Sequence, residues 1–257
     1  MARTPRGLTA IALLSALAAA TPAVAADLKL LAGSAIDPAM RNLIPQFERA
    51  AGHKISFDFD GTIGTMTERV RKGEAADVLI VSASQIAMLE QQGKIVVGSR
   101  LDIAKVGVGV FVRTGATKPD IGSVEAFKRA MLAAKSIGWN DPAAGAPVSI
   151  YMLSIFERLG IAEDMKPKTI AFKQRSERFA AVARGDVEIG FNQISEIIAA
   201  PGVELVGPLP AEIQNYTLLT GGVVASGNER AAAQALLHFL SSAAAQAIWK
   251  AKGFEAP

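Results

Sequence analysis

Two rhythms of hydrophobic and polar positions alternate along the chain. Short β-rich runs (Leu28–Ala32, Lys54–Phe59, Asp77–Val81) are separated by longer stretches with helical apolar spacing (Asp37–Ala51, Thr62–Lys72, Ser84–Gln92). The longer stretches carry helix punctuation. Asp37 stands at the N-cap position with Pro38 behind it, where a missing N–H costs nothing, and Gly73 and Gly93 stand where helices stop. Strand–helix alternation of this kind predicts a mostly parallel sheet with helices on both faces.

A longer β-rich run, Ala104–Val112, leads into a second unit of the same type. Its expected helices are Ser123–Ala134, Val148–Leu159, Ser176–Arg184 and the short Ile194–Ala199; its strands are Ser136–Trp139, Lys168–Phe172, Val187–Phe191 and Glu204–Val206. Tyr216–Ala225 reads as a further strand, and Asn228 as the cap of a last helix reaching about Lys250. That helix has no strand partner of its own, so it is expected to pack back on the first unit. The expectation is an α/β protein of two lobes with a hinge: residues 26–108 with 212–257, and residues 109–211. A ligand would sit between the lobes, where helix N-termini of both point inward.

The N-terminus has a separate logic. Arg3 and Arg6 precede an apolar run, Leu8–Ala20, that closes on Ala23-Val24-Ala25. Charge, apolar core and small-residue cut site in that order predict a signal peptide over residues 1–25 and export to the periplasm. The apolar run is short of the ~20 residues a membrane span needs. Of the 27 Lys+Arg, two lie in this leader, which leaves 25 against 24 Asp+Glu. No basic block remains for a nucleic acid, and no later segment is apolar enough for membrane insertion of the mature chain. The sequence has no cysteine, no P-loop, no nucleophile elbow and no metal-ligand spacing of His, Asp and Glu. No cofactor and no metal are expected, and the mature chain is expected to be a monomer.

Candidate chemistry lies in four loops that follow strands and start helices: Ala32-Gly33-Ser34-Ala35, Asp60 to Thr65, Asp141 to Ser149, and Lys173-Gln174-Arg175-Ser176. A helix N-terminus offers unpaired N–H groups and partial positive charge, so each loop suits an anion. Small and hydroxylated residues are also what such turns ordinarily contain; it is the recurrence at one structural position that points to a small anionic ligand.

The string Ser34 … Asp60-Gly61-Thr62-Ile63-Gly64-Thr65-Met66, followed by Gly73-Glu74-Ala75-Ala76-Asp77-Val78-Leu79-Ile80, resembles the first lobe of periplasmic molybdate-binding proteins, which have the type II periplasmic binding fold. Gly185-Asp186-Val187-Glu188-Ile189-Gly190 resembles their second lobe. The resemblance implies ligand contacts from Ser34 and Thr62 on one side and from Val148 or Ser149 and the Arg175 segment on the other. It also implies solute binding for an ABC-type permease.

Two departures bear on the ligand. The tyrosine of molybdate binders is replaced near Asn192-Gln193, and Arg175 supplies a guanidinium fork suited to a carboxylate. A di- or tricarboxylate is therefore expected over molybdate, with Gln193 among the contacts, although Arg175 equally suits a solvated first turn. Arg100-Leu101-Asp102 leading to Val106-Gly107-Val108-Gly109-Val110, with Asp141-Pro142-Ala143, Gln193-Ile194-Ser195-Glu196 and Val206-Gly207-Pro208-Leu209-Pro210, resembles a divergent branch of that family, to which aconitate isomerase is similar. The alternative is thus an isomerase on the same scaffold, interconverting trans- and cis-aconitate by an allylic proton shift, with Glu196 as the candidate acid–base group. Asp60 and Asp141 read as caps or solvated carboxylates, Tyr151 as a donor or packing residue. His53 and His238 fall outside the ligand loops.

Overall fold

A computed structural model describes residues 25–142 and 147–257. The signal peptide expected over 1–25 lies almost wholly outside the described residues, as does the 143–146 part of the third loop.

The first unit opens with β1 (Asp27–Ala32), α1 (Asp37–Ala51), β2 (Lys54–Asp58), α2 (Ile63–Arg71), β3 (Val78–Ser82) and α3 (Ala83–Gln91). β1 lies between β2 and β3, parallel to both. α1 forms because Ala39, Met40, Leu43, Ile44 and Phe47 fall on one face, all buried. Every residue of β3 from Val78 to Val81 is buried, as expected of a strand with helices on both faces.

β4 (Leu101–Arg113) is a 13-residue strand that serves both units. Leu101–Gly107 pairs with β9 (Tyr216–Val223), whereas Val108–Phe111 pairs with β7 (Ile189–Gln193) and Gly109–Arg113 with β8 (Val203–Pro208), all antiparallel. At the changeover the Gln214 side chain substitutes for a strand, accepting the Val108 N–H at 2.9 Å and donating to the Val108 carbonyl at 3.0 Å. Gly107 makes this approach possible: a Cβ there would come within 3.1 Å of the Gln214 amide.

The second unit adds α4 (Val124–Ala133), β5 (Ile137–Asn140), α5 (Pro147–Arg158), α6 (Ala162–Met165), β6 (Thr169–Phe172), α7 (Arg175–Arg184) and α8 (Ile194–Ala199). β5 is parallel to both β6 and β7. The nine strands run β2-β1-β3-β9-β4-β7-β5-β6, with β8 beside β4.

Two apolar centres lie on either side of the β4 changeover. One gathers Leu28, Leu30, Ile80, Val106, Leu219, Leu237 and Trp249; the other gathers Val108, Phe127, Trp139, Phe156, Phe191 and Ile213. This is the two-lobed type II periplasmic-binding architecture, its parallel strands joined by antiparallel crossovers.

Three local expectations are corrected. Asp37 does not cap α1: Ile36 holds the N-cap position, and Asp37 pairs with Arg41 one turn on, Oδ1 to Nε at 2.9 Å. Asn228 does not cap the last helix: Glu229 takes the N-cap place with no side-chain cap bond, and the Asn228 N–H donates to Asp77 Oδ1 at 3.1 Å. That helix is also broken, into α9 (Arg230–Ser241) and α10 (Ala243–Ala251), with Ser242 leaving helical geometry to cap α10 through the Ala245 N–H. The break lets the Trp249 indole N–H reach the Leu240 carbonyl at 3.0 Å, seating the C-terminal turn in the first core.

Candidate functional site

The four loops converge on one cleft of about 490 Å³. Ser34, Thr62, Val148, Ser149, Arg175, Gln193 and Glu196 all line it, as do Asp60 and Asp141.

The first-lobe wall is built by the loops after β1 and β2. They touch because residue 33 is glycine: a Cβ there would meet Ile63 Cγ1 at 2.8 Å. The Ser34 N–H donates to the Gly61 carbonyl at 3.0 Å. Thr62 caps α2, its Oγ1 accepting the Thr65 N–H at 3.1 Å. The expected first-lobe donors are therefore partly engaged within the protein.

The second-lobe wall differs in character. Arg175 opens α7, and Arg178 follows one turn later on the same face with 1% of its surface exposed. The Arg178 guanidinium lies beside stacked Phe111 and Phe179 rings, its carbon 5.8 and 5.2 Å from their centroids. Two glycines make room here. A Cβ on Gly138 would meet Val187 at 3.0 Å and Arg178 Cγ at 3.6 Å, and one on Gly190 would meet the Phe111 ring at 2.2 Å. Burial depresses the guanidinium pKa to about 10; the Glu196 carboxylate opposes that shift, and the like charge of Arg175 adds to it. It remains a cation at neutral pH.

Buried polar groups are nearly always hydrogen-bonded, so exceptions carry information. Among the described residues, Arg178 Nε and Nη2, Ser149 Oγ and Asn140 Oδ1 are buried without a partner, and all three residues line this cleft. Asp37 Oδ1 meets the same criterion but lies in its ion pair with Arg41. Among the described residues, unmet hydrogen-bonding capacity is thus concentrated in the second-lobe lining of one cleft, which includes a buried cation.

Glu196 stands in the same cleft with its side chain 9% exposed. It accepts from Ser34 Oγ at 3.0 Å, from Asn192 Nδ2 at 2.7 Å and from Arg175 Nη1. Gln193, the N-cap residue of α8, directs its amide to Thr217 Oγ1 at 3.3 Å. Val148 is half-buried and packs against the second core. Tyr151 donates to the Ile213 carbonyl at 3.0 Å, which ties α5 to a crossover. His53 accepts the Ala26 N–H and His238 faces solvent beside Gln234, both away from the cleft. Sequence reasoning missed Arg178 and the roles of Asn192 and Asn140. The signal for Arg178 was its spacing: three residues after Arg175 on a helix that starts in a ligand loop.

Comparison with known proteins places this architecture. The family model for bacterial extracellular solute-binding protein matches residues 28–255, and the chain belongs to that family. Aconitate isomerase from Pseudomonas sp is 33% identical over 250 residues, covering 94% of each chain. The molybdate-binding protein ModA of Azotobacter vinelandii is 28% identical over 250 residues, covering 91% of this chain and 92% of its own. The solved periplasmic molybdate-binding protein of Azotobacter vinelandii superposes with a TM-score of 0.69 at 20% identity, over 90% of this chain and 99% of that one. Among the described residues no helix is long and apolar enough to cross a membrane.

Proposed function

We propose that the cleft binds a small organic di- or tricarboxylate in preference to molybdate. The observation that carries this reading is the buried Arg178, whose Nε and Nη2 lack hydrogen-bond partners, in a cleft that Ser149 with its unpartnered Oγ also lines. A buried guanidinium with two nitrogens lacking acceptors carries a desolvation cost that a bound anion would offset. A guanidinium and a carboxylate match as two parallel hydrogen bonds, a geometry this chain already uses between Arg69 and Glu74, at 2.6 Å for both Nε–Oε2 and Nη2–Oε1. In this reading residues 1–25 direct export to the periplasm and are removed. The lobes, 26–108 with 212–257 and 109–211, close on the ligand, and the closed form is presented to an ABC-type permease.

The direct test is isothermal titration of the mature protein with citrate, tricarballylate, trans-aconitate and molybdate. A carboxylate is expected to bind and molybdate not to. Binding of molybdate alone would sink the proposal.

A second reading, isomerisation of aconitate, has its own support: the 33% identity to a protein of that name and a carboxylate, Glu196, inside the cleft. Glu196 would remove a proton from the methylene carbon and a proton would return at the far end of the allylic system, while the arginines hold the carboxylates. NMR of the protein with trans-aconitate decides it: cis-aconitate appearing above the uncatalysed background is expected of an enzyme, and none of a carrier.

A further inference from the structure

We infer that Glu196 holds the place of a ligand carboxylate, so that the cleft selects ligands with at least two carboxylates: one to meet the unpartnered wall at Arg178, a second to take over the donors of Glu196. This inference rests on the polycarboxylate reading above.

The donor set around Glu196 has the composition of a carboxylate-binding site. A hydroxyl, an amide and a guanidinium converge on it, with Ser34 supplied by the first lobe and Asn192 and Arg175 by the second. The group lies in the ligand cleft itself, where Arg178 feels its charge. The seat of α8 does not depend on it. Ser195 Oγ donates to the Ala35 carbonyl at 3.0 Å, and Ile194 and Ile198 pack so closely on Gly253 that a Cβ there would meet them at 2.8 and 2.7 Å. Glu196 can release its donors while the helix that carries it stays docked on the first lobe.

A monocarboxylate entering this cleft can answer Arg178 but leaves Glu196 in possession of Ser34, Asn192 and Arg175. A dicarboxylate exchanges one carboxylate for another on those donors, and displaced Glu196 becomes a like charge opposing the ligand. Removing its charge should therefore favour dicarboxylates selectively.

The experiment is titration calorimetry with butyrate and glutarate on the wild type, Glu196→Gln and Ser34→Ala, with melting temperatures as fold controls. Glu196→Gln is expected to tighten glutarate about tenfold, against less than about threefold for butyrate, where tenfold corresponds to about 1.4 kcal/mol. Ser34→Ala is expected to weaken glutarate and leave butyrate unchanged. If wild type binds glutarate but Glu196→Gln weakens it, or strengthens both ligands equally, the inference is overturned and the polycarboxylate reading stands. An unchanged glutarate affinity in Ser34→Ala overturns it as well. If no di- or tricarboxylate binds the wild type, both fall together.

Discussion

Two arginines, one in each lobe, show how the same side chain can stabilise a fold or wait for a ligand. Arg69 on α2 is three-quarters buried and fully answered. Its Nε and Nη2 grip Glu74, and its Nη1 meets Asp58 at 2.8 Å. Lys29 adds a second cation to Glu74 at 3.0 Å. Arg178 on α7 is buried more deeply, and its Nε and Nη2 have no acceptor. Those are the two nitrogens that hold Glu74 in the Arg69 pair. Complete pairing suits Arg69 to a structural role, and missing pairing inside a cleft is the observation on which the proposed role of Arg178 rests. In the proposed function the ligand is held mainly by the second lobe, because Ser34 and Thr62 on the first-lobe wall are already engaged.

The largest expected effect separates the two arginines by binding. Arg178→Met should weaken tricarballylate by about a hundredfold or more, because a buried charge pair contributes 2–5 kcal/mol to a complex. Arg69→Met should leave that affinity within about threefold. Calorimetry on both variants checks this, and equal losses would erase the distinction. In the absence of ligand the stabilities should move in opposite directions. Removing an unpaired buried cation relieves its desolvation cost, so Arg178→Met should raise the melting temperature by roughly 2–8 °C for about 1–2 kcal/mol. Arg69→Met strands Glu74 and Asp58 and should lower it. A smaller effect is expected at Ser149, whose hydroxyl is buried and unpaired. Ser149→Ala should weaken the ligand about five- to tenfold while leaving the free protein as stable or slightly more so, since no existing hydrogen bond is lost.

This contrast also explains how far the sequence could be read. The lobes were legible because helix and strand periods differ and because Gly73, Gly93 and Gly185 end helices in left-handed geometry. The short helix Ile194–Ala199 and the loop positions of the cleft are local features, set by turn composition. Arg178 was not legible, because its burial is made elsewhere. Phe111 comes from β4, Gly138 from β5 and Gly190 from β7, and only their assembly buries one face of a polar-looking helix in the wall of the cleft. The break at Ser242 was hidden for a related reason: alanines on both sides favour helix, and the Trp249–Leu240 contact that rewards the bend is tertiary.

Acid sharpens the same comparison with the smallest expected effect. Arg69 and Lys29 hold the Glu74 carboxyl down at about 2, and the Asp60 N–H and Arg69 lower Asp58. A carboxylate whose folded pKa lies below its unfolded value contributes stability that is complete above the unfolded pKa and is lost as pH falls through the folded one. The Glu74 contribution is therefore present above about pH 4.5 and disappears towards about pH 2. Arg178 has linkage of the same sign in a different pH range. Its pKa is depressed to about 10, so its penalty is constant at every pH well below that value and is relieved only as the pH rises above it. Denaturant midpoints measured from pH 6 to pH 3 should thus fall less steeply in Glu74→Gln than in the wild type, whereas Arg178→Met should raise the midpoint across that range.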